Sequence, residues 1–564
     1  AFTQVTTSGI SGRITGGAQE TLPGATVVAV HKPSGTQYAA ISNAEGYYSI
    51  QGMRPGGPYE LNISFIGYRA ESYSDITLLL GQVFVLNVTL RDDTVDLGEV
   101  VVVGYKNSAF STQKTGASTN VSSEEINSLP TINRSLNDFT RLTPQAGAGS
   151  SFAGRDGRYN NITIDGANFN NNFGLSSRNL PGGDAQPISL DAIQEISVNI
   201  APFDVRQSNF TGANVNAITR SGDNQYKGSV YTYYRDKSFN GDKVGDAELD
   251  LEKTTTKTYG GRVGGPIIEN KLFFFVNGEL ESSSFPGINW RPADPANGIN
   301  ANPDAYISRA TVADLERMKN HLINQHGYNP GDYQGFGNFN SDNHKFLARV
   351  DWNIDYNHRL TLRYNTVRSE NDQGINATSA PNPRSSFGRV SEKSMAYNNA
   401  FYGLLNTVHS FTGELNSVLG SNLSNKMLVT YTKIRDTRSS GSDIFPFVDI
   451  YEDGDPYMSF GYELFSFDND VKNNVFTFTN NLSYYLGKHT LTAGISFDRL
   501  YFGNSYKRYG TSYYRFASMD AFINGALPTV FGLTYPYEGA GDGYAELNFG
   551  LGSVYLQDEF QVND

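Results

Sequence analysis

The chain has 564 residues, with 44 Lys and Arg against 57 Asp and Glu, a formal charge of −13 with seven His neutral. That surplus of acid excludes a general nucleic-acid binder, because phosphate recognition needs a basic face. The 58 Gly, 35 Tyr and 35 Phe, beside 2 Trp, 6 Met and no Cys, favour β structure, and the missing Cys removes disulfide frameworks, thiolate metal sites and cysteine nucleophiles together. At roughly 100–200 residues per domain, the length predicts several domains or one very large one. No stretch approaches the roughly 18 apolar residues of a membrane helix, which leaves open a β-barrel, whose strands are only half apolar. The start at Ala1-Phe2-Thr3-Gln4, with no Met, reads as a processed N-terminus and implies export.

After a tail over 1–7, residues 8–91 read as short alternating strands between turns. Ile10 to Ile14 opens the unit, Leu22-Pro23-Gly24-Ala25 turns into Thr26 to Val30, and Asn43-Ala44-Glu45-Gly46 turns into Tyr47-Tyr48-Ser49-Ile50. Turns at this spacing predict a small β-sandwich. The Leu-Pro-Gly-Ala and Glu-Gly-Tyr-Tyr-Ser-Ile segments resemble the carboxypeptidase-regulatory-like domain, with Asn43 where Asp is frequent. Such domains accompany zinc carboxypeptidases, yet none of the seven His begins an H-x-x-E or H-E-x-x-H motif, as a zinc site of that kind needs. Ser111 to Lys114, Lys114-Thr115-Gly116 and Ser341-Asp342-Asn343 match fragments of the penicillin-binding triad, but two of them share Lys114 and cannot form separate elements of one pocket. No catalytic residue, metal ligand or cofactor is assigned, and the chain is not read as an enzyme.

Residues 92–119 hold the acidic-then-valine run Val95-Asp96-Leu97-Gly98-Glu99-Val100-Val101-Val102-Val103-Gly104. An ordinary buried strand has this composition. Its position between a finished domain and the polar linker from Lys106 to Thr119 also suits a strand added to a partner's sheet edge. The run resembles the Ton box of TonB-dependent outer-membrane receptors that carry an N-terminal extension. That resemblance assigns Leu97, Gly98, Glu99, Val100, Val101, Val102 and Val103 as the TonB-binding segment.

Over 120–224, Ser122 to Ile126 reads as a capped helix start and Ser135 to Pro144 as a second short helix stopped by Pro. Tyr159 to Gly166 reads as a strand and Asp-Gly turn, Ile188 to Val198 as a helical turn leading into a strand, and Gly212 to Gly222 closes the unit. In order and spacing these pieces resemble the plug domain of the same receptors, and within them the Oar-like group. Ala213 stands where a second Gly is common, and Arg220 where Lys is common.

From 225 to 564 the strands are long and two-faced. Phe346, Ala348, Val350, Trp352 and Ile354 share one face; Lys345, Arg349, Asp351 and Asn353 share the other with Leu347. A soluble sandwich alternates in the same way. Connection lengths discriminate better: about ten strands, near 226–236, 256–265, 271–284, 343–355, 359–369, 396–419, 425–437, 473–486, 489–502 and 546–562, are joined by links that alternate long and short. Outer-membrane barrels do this, with short periplasmic turns and long extracellular loops. The first strand leads into a long loop, which puts residues 1–224 on the periplasmic side or in the lumen, where a Ton box must be. In the loops, Thr311 to Gly327 predicts a capped helix and Ser518 to Ile523 a shorter one; they either stiffen loops or form a lid over a ligand vestibule. Glu452-Asp453-Gly454-Asp455 and Asp468-Asn469-Asp470 lack the spacing of a roughly 12-residue calcium loop and read as solvated turns.

The predicted fold is mostly β: a small β-sandwich, an α+β plug and part of a transmembrane β-barrel. Plugged transporters close with about 22 strands, so the chain reads as C-terminally truncated. The resemblance implies energy-coupled import across a bacterial outer membrane of an unidentified glycan, peptide or chelate, with TonB, ExbB and ExbD as partners and outer-membrane lipid around the wall. Arg155, Asp156, Arg158, Asn168, Phe169, Asn170 and Phe173 are the ligand-binding candidates. The alternative is a non-transporting scaffold that anchors surface lipoproteins or an envelope-assembly complex. An exported soluble β-protein is a third reading.

Overall fold

The structure is a computed structural model, and it describes residues 5–17, 19–92, 101–104, 117–131, 134–170, 186–249, 251–420, 422–539, 541–560 and 562, with the backbone only for 101–104. The first unit is a two-sheet sandwich. One sheet orders Tyr47–Met53, Ser8–Thr15 and Val83–Val85, with Val88–Thr89 also on Ser8–Thr15. The other orders Thr36–Ile41, Thr26–His31, Gly56–Ser64, Glu71–Leu78 and Val101–Gly104. Alternate residues meet between the sheets: Ile10, Ile14, Val27, Tyr59, Leu61 and Ile63 are fully buried. The turn before Tyr47 shows why Asn replaces Asp without loss. Asn43 Oδ1 accepts from the main-chain N–H of Glu45 at 3.1 Å and of Tyr47 at 2.9 Å, which a carboxylate oxygen does equally. Gly46 follows at φ +81°, with its Cα turned so tightly onto Ile14 that a Cβ would lie 2.5 Å from the Ile14 carbonyl.

The second unit is a five-stranded sheet in the order Ala117–Ser122, Ile193–Ile200, Asn214–Thr219, Asn161–Ile164 and Ala167–Asn168. Helix Ser123–Ser128 starts on a capping box, Ser122 accepting from the Glu125 N–H while the Glu125 carboxylate accepts from the Ser122 N–H. Helix Leu136–Thr140 is a single turn capped at Ser135. Leu190–Ala192 is the expected helical turn, running directly into Ile193–Ile200.

Ten antiparallel strands form one sheet in chain order: Lys227–Arg235, Thr255–Ile268, Leu272–Phe285, Phe339–Asn353, His358–Gln373, Tyr402–Val418, Leu423–Ser440, Asp470–Leu486, His489–Ser505 and Ala545–Phe560. The alternation resolves in favour of a membrane wall. The polar face is the buried one, with Lys345, Asp351, Arg359, Arg363 and Glu414 each less than a tenth exposed, while Phe346, Trp352, Leu362, Phe411 and Ile495 stand on the open face. A soluble sheet would bury the second set; a barrel wall in hydrocarbon must expose it. The second unit sits against the polar, inner face. Its Ile196, Val198, Val215 and Phe169 share one core with Phe275, Leu347, Val367, Val408 and Ile434 of the wall. The strand expected from 396 starts at Tyr402. Met395–Ala396 leaves the wall to pair with Asp455–Phe460, and Asn398 is held by reciprocal bonds with Asp332.

The long connections fold together at the end of the wall opposite the short turns. Met395–Ala396, Asp455–Phe460, Phe447–Glu452, Tyr513–Phe516 and Val530–Gly532 make a second five-stranded sheet. The expected helices are Val312–His326, capped by Thr311 and ended by left-handed Gly327, and Met519–Ile523, capped by Ser518. Leu315, Met318 and Leu322 bury the long helix against Tyr397, Ile450, Met458 and Phe460. Beneath them Arg389 grips Asp449 with two bonds of 2.8 Å, and Ser459 and Tyr513 donate to the same carboxylate. Burial opposes ionisation there, yet Arg389 holds Asp449 below its ordinary value. The acidic tract at 452–455 is a hairpin turn, with Asp453 and Gly454 both at positive φ.

The closest approach in the sandwich is at Gly12, where a Cβ would stand 1.8 Å from the Leu86 carbonyl oxygen. Gly12→Ala is expected to destabilise the first unit by about 1–3 kcal/mol, read as a lowered transition in scanning calorimetry of the whole chain, whereas Gly17→Ala, with open space around it, leaves the transition in place.

Candidate functional site

The plug-like second unit touches the wall through charged residues with almost no access to water. Its Asp165-Gly166 turn, both residues at positive φ, is locked from behind: the Asp165 carboxylate accepts from the Thr219 N–H at 2.9 Å and hydroxyl at 2.7 Å. From the wall, Arg363 Nη1 donates to the Asp165 carbonyl at 2.7 Å while Nη2 lies 3.3 Å from Glu414 Oε2. Glu414 also accepts from the Thr6 hydroxyl at 2.6 Å, so the segment before the sandwich joins the same network. A second tie lies along the wall: Glu279 accepts from Ser189 at 2.8 Å, Tyr231 at 2.6 Å and Lys345 at 2.7 Å, and Arg262 donates to the Asp191 carbonyl at 2.9 Å. Removing one partner of such a desolvated pair strands the other charge and costs roughly 3–5 kcal/mol.

The sandwich is fastened to the plug through Glu195. Its Oε1 accepts from the Leu80 N–H at 2.9 Å and from Asn120 Nδ2 at 2.7 Å, and Asn120 donates back to the Leu80 carbonyl. Burial, with Glu125 nearby, raises Glu195 to about 7.

Of the residues expected from sequence to bind TonB, Leu97, Gly98, Glu99 and Val100 lie outside the described residues. Val101, Val102 and Val103 belong to the strand Val101–Gly104, which pairs in parallel with Glu71–Leu78, from Glu71↔Val101 to Ser74↔Gly104. The ligand candidates separate. Arg155, Asp156 and Arg158 are exposed on the loop before Asn161–Ile164, at the end of that strand away from Asp165. Arg158 Nε donates to Asp156 at 3.0 Å, and this bond holds the Asp156 carboxyl below its ordinary value. Asn168, Phe169 and Asn170 are buried: Asn168 accepts from the Asn170 N–H, Asn170 bonds Ile162 and Asn161, and Phe169 sits in the plug core. These three hold the plug's hairpin and present no open surface. Phe173 lies outside the described residues.

Residues 218–564 match the family described as outer membrane beta barrel domain. The chain belongs to that family. Residues 9–91 match the carboxypeptidase regulatory-like domain. Over 279 residues, 46% of this chain and 25% of the relative, the sequence is 27% identical to the TonB-dependent transporter Oar of Myxococcus xanthus. The outer membrane transporter YddB of Escherichia coli has the same fold over 80% of this chain and 56% of its own, with a TM-score of 0.52 and 12% identity. The chain therefore spans a quarter of Oar and little over half of YddB. These relatives are transport proteins, and the enzyme reading is set aside.

As a member of the outer-membrane barrel family, the chain is read with its short turns on the periplasmic side and its packed loops outside. The residues that couple plug to wall, Arg363, Glu414, Glu279 and Lys345, were not singled out from sequence. Their signal was there: charges on the face of an alternating strand whose other face is apolar, in a wall that must enclose something.

Glu195 supplies a pH test. Its folded value, about 7, lies above the ordinary 4.5, so the native state holds the proton more tightly and stability falls as pH rises between those values, levelling off above. Glu195→Gln keeps an Oε1 for both donors. It is expected to flatten the fall between pH 4.5 and 7 and to stabilise the chain at pH 8 by on the order of 1–3 kcal/mol, measured by denaturant titration across pH; an unchanged profile would show that Glu195 does not titrate in this range.

Proposed function

We propose that the protein is a TonB-dependent transporter, which imports an external ligand across the outer membrane with energy delivered from the inner membrane. The observation that carries this reading is the second unit: a five-stranded sheet packed on the inner face of the wall, tied to it by buried charges around a shared apolar contact and preceded in the chain by a strand of valines. Ligand would enter among the packed outer loops and meet the exposed loop with Arg155, Asp156 and Arg158, whose donors and acceptors suit a glycan, peptide or chelate. The helix Val312–His326 and its sheet would roof that vestibule. TonB, driven by ExbB and ExbD, would take the segment Leu97 to Val103 as an added strand, and its pull would reach the plug through the linker and loosen the ties at Asp165 and Asp191.

A scaffold role is the second reading. Leu527, Tyr535 and Tyr537 stand more than 70% exposed on one outer loop, a surface suited to a lipoprotein partner. Stoichiometric co-purification with such a partner, together with uptake unchanged on deletion, would favour it. The transporter reading is tested by Val101→Pro, which removes a ladder donor and fixes φ. Energised uptake is expected to fall to the level of a TonB-deficient strain, with ligand binding to whole cells retained; normal uptake by the variant would refute the coupling assignment.

A further inference from the structure

Where the sandwich, the plug and the wall meet at the periplasmic end, they enclose a cavity of about 320 Å³, at the lower end of the roughly 300–1,000 Å³ usual for ligand sites. In a chain of charge −13 its lining is basic, with seven Arg and Lys against four Asp and Glu. The four acids are already engaged: Asp351 by Arg349, Glu414 and Asp165 by Arg363, and Asp223 by Lys227. Arg54, Arg220 and Arg359, one from each unit, have no carboxylate within ion-pair distance among the described residues. Arg54 donates to the Gly222 carbonyl, and Arg359 donates to the Gln37 carbonyl and lies over the Tyr38 ring.

Several guanidinium N–H groups in this lining are buried and unpartnered: Nε and Nη2 of Arg220, Nη1 of Arg359 and Nε of Arg363. Arg359 and Arg363 are each less than a tenth exposed. The Nε and Nη2 of one guanidinium form the fork that takes two oxygens of a carboxylate or phosphate at once. Burial and the neighbouring Arg262 lower Arg220 to about 10, against a smaller opposing pull from Asp191.

We propose that this cavity binds a small multivalent oxyanion, a phosphate or polycarboxylate compound, with Arg220 as the bidentate anchor and Arg54, Arg359 and Arg363 around it. The site draws on all three units, so its occupant ties the sandwich and the plug to the wall. It does not depend on the transport reading.

The test is calorimetric titration of the full-length protein in detergent, at constant ionic strength, with inorganic phosphate, pyrophosphate and citrate. Saturable 1:1 binding is expected from the phosphates or from citrate, and which of them binds identifies the class. Arg220→Gln is expected to weaken it at least tenfold, Arg220→Lys to restore it only in part, and Arg435→Gln, on an exposed stretch of wall, to leave it unchanged. Arg359→Gln is the second variant should Arg220→Gln not fold. Failure of all three anions to saturate, equal binding by wild type and Arg220→Gln, or loss of binding to the same concentration of chloride would each overturn the proposal.

Discussion

A strand in hydrocarbon has no water to take up its main-chain hydrogen bonds, so every donor and acceptor must be met by a neighbouring strand. The eight inner wall strands obey this with antiparallel pairing on both sides, as between His358–Gln373 and Tyr402–Val418, while Lys227–Arg235 and Ala545–Phe560, at the two ends of the sheet, pair on one side. Period-two alternation then leaves the sequence little freedom. Outward positions must be apolar, as Leu362 and Phe411 are, and inward positions become a polar interior. The second unit packs on that inner face. The fold follows from the membrane inward: pairing sets the wall, the wall sets a polar lumen, and the lumen sets what kind of interface the plug can have.

That interface is a compromise between burial and charge. A purely apolar plug surface would find few partners on an inner face bearing Lys345, Arg349, Arg363 and Glu414. The structure keeps a compact apolar contact around Phe275, Leu347, Val367 and Ile434 and surrounds it with buried ion pairs, some of them shared, as Arg363 is between Asp165 and Glu414. Matched pairs in a dry interface add little net stability over well-packed apolar groups, but each is costly to split singly. An interface of that kind holds position firmly against small disturbances. It gives way once several ties are broken together, as when a strand bearing Asp165 or Asp191 is displaced as a unit.

How much of this was legible in the sequence depends on whether the determinant is local. The wall strands were, because alternation and connection length are read along the chain. The helix at Val312 was, because Thr311, Asp314 and Gly327 cap it from within. The Asn43 and Asp165 turns were, because each is set within a few residues, by Asn43 bonding the N–H groups just after it ahead of Gly46 and by Gly166 directly after Asp165. The outer sheet was not: Met395–Ala396, Phe447–Glu452 and Tyr513–Phe516 are short segments whose pairing is decided by the loops they happen to meet. The strand from Tyr402 was placed too early for the same reason, Asn398 being held by Asp332 across the fold. The candidate site divides on this line. Asn168 and Asn170 carry the side chains of a ligand loop, but both are buried: the Asn170 amide is spent on Ile162 and Asn161, which only the folded hairpin brings near, and the Asn168 oxygen on the Asn170 N–H. Arg363, paired with Glu414 on the neighbouring strand, meets Asp165 only once the plug is seated.

The unmatched charges are as informative as the matched ones. Inside the wall Glu279 has Lys345 and Asp351 has Arg349, and among the outer loops Asp449 has Arg389. Along the seam between the sandwich and the plug the pattern changes: Glu195 has amide donors in place of a cation, and Arg220, two residues beyond the Ile218 that pairs with Glu195, has no carboxylate within ion-pair distance among the described residues. The two therefore respond to conditions that leave the other pairs untouched, Glu195 to pH near neutrality and Arg220 to the anions around it.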